Sequence, residues 1–138
     1  MKQCFLFGHR EADERICPSI SAAVERRILE YGVGEFIVGH YGGFDRQAKR
    51  AVLRIKRDYP VRLTLLLPYH PAPNEVFPDF DGTLYPFDGY VPPKAAIIRA
   101  NRQMIDACAC AIAYARHPDL SRDLLDYARL RNKAIIEI

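Results

Sequence analysis

The chain has 138 residues, 49% of them hydrophobic and 27% charged, with a formal net charge of +3. A single domain of that length buries roughly two-thirds of its unfolded-chain surface without staples, and this composition excludes disordered and fibrous classes. So slight a charge lacks the concentrated basic footprint that nucleic acid or an acidic membrane selects, so nucleic acid is not an expected partner.

The N-terminal segment MKQCFLFGHRE holds one lysine and a four-residue apolar run, too short for a signal-peptide core or a spanning helix, and a cytoplasmic protein is expected. Residues 4–7, CFLF, suit a strand covered on both faces, followed by the turn Gly8-His9-Arg10. Pro18 fits a first helical position, and Ile20, Val24, Ile28 and Tyr31 recur at helical spacing until Gly32 ends that helix. The four cysteines, Cys4, Cys17, Cys108 and Cys110, form no C-x-x-C pair and read as buried reduced thiols.

The segment Glu35–Ala51 organises the rest. A short strand (Phe36–Val38) leads through Gly39, Gly42 and Gly43 into an amphipathic helix with Asp45 in its first turn. Such a turn lets a ligand approach the main chain and aims unpaired N–H groups at it, an arrangement that suits phosphate. Phe44, Ala48, Ala51, Val52 and Ile55 line one face of this helix. Arg46, Lys49, Arg50, Arg54, Lys56 and Arg57 cover the remainder and read as a solvated surface.

Tyr59-Pro60 ends the helix, and Leu63–Leu67 forms the third strand. Residues 68–93 carry seven of the ten prolines, six aromatics and four carboxylates with no Lys or Arg, and so read as a lid packed onto the body by its rings. Pro92-Pro93 opens a helix to about Ala107, with Arg102 and Asp106 at ion-pair spacing. Cys110–Tyr114 is the fourth strand; a helix through Leu120, Leu124 and Ala128 and a fifth strand, Ala134–Ile138, complete the pattern. This alternation predicts one α/β domain over 1–138, a three-layer doubly wound fold with a five-stranded, mainly parallel sheet. An apolar helix face leaves room for a homodimer.

Ligands of such sheets bind beyond the carboxyl ends of the strands. Candidates there are His9 and Arg10 after strand one, His40, Tyr41 and Asp45 after strand two, and Tyr69 and His70 after strand three, with Arg116 and His117 after strand four. Arg10 suits a phosphate and Asp45 a ribose hydroxyl. The histidines at the ends of the first three strands also raise a zinc reading, but their spacing fixes no ligand set, and no metal or cofactor is assigned.

The segments FLFGHR (5–10), FIVGHYGGFD (36–45), LLLPYHP (65–71), FDGTLYPFDGYVP (80–92), AIIRANRQMIDACACAIAY (96–114) and KAIIEI (133–138) resemble, in order and over nearly the whole chain, the Rossmann-like proteins of the SLOG superfamily. That superfamily unites the DNA-processing protein A fold with the Lonely Guy phosphoribohydrolases, and the likeness is nearest to a group of small bacterial proteins of undefined function. The resemblance implies a nucleotide or nucleotide-derived ligand held by Gly8, His9, Arg10, Gly39, His40, Tyr41, Gly42, Gly43, Phe44 and Asp45. It implies contributions from Arg99, Asn101, Arg102 and Asp106 as well. The enzymatic branch carries a PGGxGTxxE pattern after strand four, where this chain has ARHPDLSRDLLDY (115–127), with neither glycine nor glutamate. Binding or sensing is therefore the expected function; N-glycosidic hydrolysis and single-stranded nucleic-acid binding are the alternatives.

Overall fold

The computed structural model describes all 138 residues. Six strands, β1 (Lys2–Gly8), β2 (Val33–Val38), β3 (Arg62–Leu66), β4 (Gly82–Leu84), β5 (Cys110–Tyr114) and β6 (Ala134–Glu137), form one sheet in the order β4-β3-β2-β1-β5-β6. Every neighbouring pair is parallel. Helices α1 (Cys17–Tyr31) and α2 (Gly43–Ile55) cover one face, while α3 (Pro93–Ala107) and α4 (Leu120–Leu130) cover the other.

The continuous apolar run of β1 follows from this double cover. Cys4 and Leu6 point into the core under α1 and α2, and Phe5 and Phe7 point into the core under α3 and α4. With successive residues facing opposite sides, a strand buried on both faces has no polar position to spare. Pro18 stands in the first turn of α1, and Gly32, at φ 68°, closes that helix in the left-handed region that glycine tolerates. Phe44 is fully buried beneath the β1 end, and a Cβ on Gly8 would come within 2.5 Å of its ring. Gly8 is glycine because Phe44 packs on it, which contributes about 2–3 kcal/mol of apolar burial.

The sheet has six strands and not five. The sixth lies inside the segment 68–93, which is therefore no simple lid: Gly82–Leu84 adds to β3 as a short edge strand. Asp81 fixes it there. The Asp81 amide donates to the Leu63 carbonyl at 2.8 Å, the Leu63 amide donates to Asp81 Oδ2 at 2.7 Å, and Lys56 pairs with the same carboxylate. The aromatic rings of the segment divide between the two faces, Phe80 packing against the α2 side and Phe87 against the α3–α4 side. No helix is long and apolar enough to cross a membrane.

Candidate functional site

The strand order reverses direction at β1, so the loops after β1 and β5 diverge to opposite faces and leave a crevice at their carboxyl ends. A cavity of about 170 Å³ occupies this place. Its polar lining comes from Arg10, Tyr41, Asp45, Asn101 and Ser121, and its apolar wall includes Leu66, Pro68, Ile97, Leu120 and Leu124. The loops bearing Arg10 and Asp45 thus adjoin as walls of one crevice, and α3 adds Asn101. The contributions of Leu120, Ser121 and Leu124 at the start of α4 have no motif behind them and follow only from the topology.

The α2 N-terminus differs from the phosphate cradle its glycines suggest. The Gly43 amide donates to the Arg10 carbonyl at 2.8 Å and the Phe44 amide to the His9 carbonyl at 3.2 Å. The Tyr41 amide donates to Asp45 Oδ2 at 3.1 Å. Amides expected to face a ligand are thus consumed by the β1 loop and by the helix's own carboxylate. Gly43 is glycine for the same reason: a Cβ there would lie 1.9 Å from the Ala12 carbonyl oxygen. Gly42 likewise abuts the Arg10 Cα, at 2.9 Å from a would-be Cβ.

What remains for a ligand is a side-chain pair. Arg10 is exposed and makes no ion pair or side-chain hydrogen bond. Asp45 is partly buried, and burial pushes its carboxyl up to about 6, against the opposing pull of the Tyr41 amide and of Arg10. Asp45 therefore titrates close to neutrality inside a largely apolar cavity. Gly39 and Asp45 also border a second groove of about 280 Å³, lined by His40, Arg46, Lys49, Phe77 and Phe80. The His40 ring meets Phe77 edge-on at 5.8 Å, and Lys49 is held by Asp79 at 3.1 Å.

Several expected site residues lie elsewhere. His9 is 1% exposed and turned away from the crevice. Its Nε2 accepts from the Arg116 amide at 2.7 Å, so Nδ1 carries the proton and donates to Asp119 Oδ2 at 2.6 Å. Asp119 caps α4 through the Arg122 amide at 3.0 Å. Burial opposes its charge, yet the Arg122 amide and His9 hold its carboxyl below the ordinary range. His9 is thus a tie between β1 and α4.

Tyr69 donates to the Pro93 carbonyl at 3.1 Å, and His70 stacks on Tyr85 at 4.0 Å. His9, His40 and His70 consequently have separate partners and do not form the three-imidazole set considered for zinc. Arg102 does not pair with Asp106. Its guanidinium lies over the Tyr127 ring at 5.0 Å, while Asp106 accepts from Tyr127 at 2.7 Å and from Arg131 at 2.9 Å. These two residues join α3 to α4, and Arg99 is exposed outside the crevice lining.

A solved structure from Helicobacter pylori, described for the unique single-stranded DNA binding mode of DNA processing protein A, superposes with a TM-score of 0.64 at 16% identity. The fold resembles that of DNA processing protein A. The match covers 99% of this chain and 64% of that one, so this chain spans less than two-thirds of its neighbour's length. At 16% identity the likeness is one of fold. It nevertheless corrects the expectation drawn from net charge, because a chain of this architecture binds single-stranded DNA and a modest charge gives no ground for setting nucleic acid aside. No family model and no curated protein matches the sequence.

Proposed function

We propose that the crevice at the β1–β5 switch point binds a nucleotide unit. The observation that carries this reading is the placement of an unpaired Arg10 and a titratable Asp45 on one largely apolar cavity. Arg10 would take the phosphate in two-pronged fashion, the ionised Asp45 would accept from a sugar hydroxyl or base amino group, and the apolar wall would cover the base. Asn101 offers both a donor and an acceptor to the same ligand. The SLOG-type likeness of the segments 5–10 and 36–45 supports the same assignment.

A second reading, single-stranded DNA, is favoured by the adjoining groove. It shares Gly39 and Asp45 with the crevice, and its His40, Phe77, Arg46 and Lys49 would supply the rings and cations that an extended strand uses. The solved neighbour's single-stranded DNA binding points the same way. Hydrolysis has less support, since Asp45 is the sole carboxylate on the crevice and already accepts from the Tyr41 amide.

The two binding readings separate in one experiment. A panel of nucleoside monophosphates should raise the melting temperature of the wild-type chain through preferential native-state binding, and Arg10→Ala and Asp45→Asn should abolish the rise. Fluorescence anisotropy with labelled oligothymidylate reports strand binding, which Arg46→Ala/Lys49→Ala should weaken only if the second groove is used. Absence of both signals at millimolar nucleotide and micromolar strand would overturn the proposal.

A further inference from the structure

Outside the crevice, the loops after β1 and β5 bring a different set of donors together. His9, Glu11, His117 and Asp119 each offer a ring nitrogen or carboxylate oxygen, and these atoms lie within 4.8 Å of one another. None of the four lines the crevice. We propose that Glu11, His117 and Asp119 form a binding site for a divalent transition-metal ion, with His9 as the residue that orients Asp119.

The division of roles follows from the hydrogen bonds. His9 cannot be a ligand in this arrangement, because the Arg116 amide occupies its Nε2 lone pair and its Nδ1 proton points at Asp119. It serves instead as the outer partner that fixes a ligating carboxylate, as metal sites commonly require. Asp119 Oδ2 retains a second lone pair after accepting from His9, and Asp119 Oδ1 is held by the Arg122 amide. The carboxylate is therefore fixed at both oxygens with one position open.

His117 supplies the nitrogen. Its ring stacks on His9 at 3.7 Å with a 9° tilt, and its Nε2 lies 3.9 Å from Asp119 Oδ2 and 4.0 Å from Glu11 Oε2; because Asp119 Oδ2 sits at the edge of the His9 ring, His117 turns out of this stack to aim its lone pair at an ion shared with Asp119. Bond lengths of about 2.1 Å put tetrahedral donors roughly 3.4 Å apart, about half an ångström less than the two separations from His117 Nε2, and the Glu11 and Asp119 oxygens lie within 4.8 Å of each other. Glu11 and His117 have the freedom to close these distances, with side chains 72% and 54% exposed.

Charge argues the same way. Glu11 and Asp119 have no lysine or arginine partner, although the chain carries 20 such residues. The neighbouring Arg116 directs its Nε to the Ile138 carbonyl at 3.1 Å. Two carboxylates and a neutral imidazole match a 2+ ion, and the imidazole favours zinc-type ions over magnesium or calcium. The exposed side leaves positions for water.

Equilibrium dialysis of the untagged chain against Zn²⁺ tests the site, using Glu11→Gln and His117→Gln because both residues are exposed and neither caps a helix. The expected result is one ion per wild-type chain, weakened about tenfold or more by each substitution, with circular dichroism unchanged and Mg²⁺ failing to compete at equal concentration. Failure of the wild type to bind one equivalent, affinity unchanged in both variants, or equal competition by Mg²⁺ would overturn it.

Discussion

At Asp45 a carboxyl sits where burial penalises its charge, and the structure compensates with one amide and a nearby guanidinium rather than a full ion pair. Its value of about 6 in the folded chain exceeds the ordinary 3.8, so the native state holds the extra proton between those values. Stability from this group is therefore gained as pH falls through 6 and is lost at neutral and higher pH. Asp45→Asn, which keeps an acceptor for the Tyr41 amide, should stabilise the chain by roughly 1–2 kcal/mol at pH 7–8, an advantage that fades toward pH 4. Urea unfolding across that range checks it. A variant that gains stability and loses nucleotide binding would mark Asp45 as strained for function. His9 behaves oppositely: His9→Ala strands the Arg116 amide and the Asp119 carboxylate, and should destabilise by roughly 2–4 kcal/mol in the same assay.

Among the elements, the α2 N-terminus shows what spacing can and cannot disclose. That Gly39–Asp45 forms a strand-to-helix turn at the rim was legible, because glycines between an apolar strand and an amphipathic helix have few other uses. Which amides stay free was not legible, since the carbonyls of His9 and Arg10, more than 30 residues away, decide it. The same close approach predicts that Gly43→Ala, which drives a methyl group against the Ala12 carbonyl, destabilises by about 1–3 kcal/mol in urea unfolding. β4 escaped sequence reading because three residues among prolines at a sheet edge carry no period. Its anchor is Asp81, held below the ordinary carboxyl range by Lys56 and the Leu63 amide. Asp81→Ala should release this strand locally, seen as faster hydrogen exchange at the Leu67 amide, which donates to the Leu84 carbonyl. Arg102 and Asp106 illustrate the converse: i,i+4 spacing suits an ion pair on any helix, and only the approach of Tyr127 and Arg131 from α4 redirects both.

For the whole molecule, a parallel sheet with helices on both faces follows from strands such as β1 and β5 that are apolar without alternation. The location of the crevice then follows from topology, as do its contributors from five separate segments, and Asn101 together with Leu120–Leu124 could be placed only once the sheet order was known. The crevice and the adjoining groove share Gly39 and Asp45, with Arg10 lining the first and Arg46 and Lys49 the second. If a strand lies there, its affinity should fall with salt at a slope set by about three phosphate contacts, and each of Arg10→Ala, Arg46→Ala and Lys49→Ala should reduce that slope by about 0.7. Chemical-shift mapping on the ¹⁵N-labelled chain, titrated with thymidine monophosphate and then with a short oligothymidylate, tests these two depressions most directly. The predicted result is a set of perturbed amides confined to 8–10, 39–45, 101 and 120–124, extending to 76–80 with the longer ligand. Perturbations centred on the outer surfaces of α1 or α3, or none at saturating ligand, would contradict it.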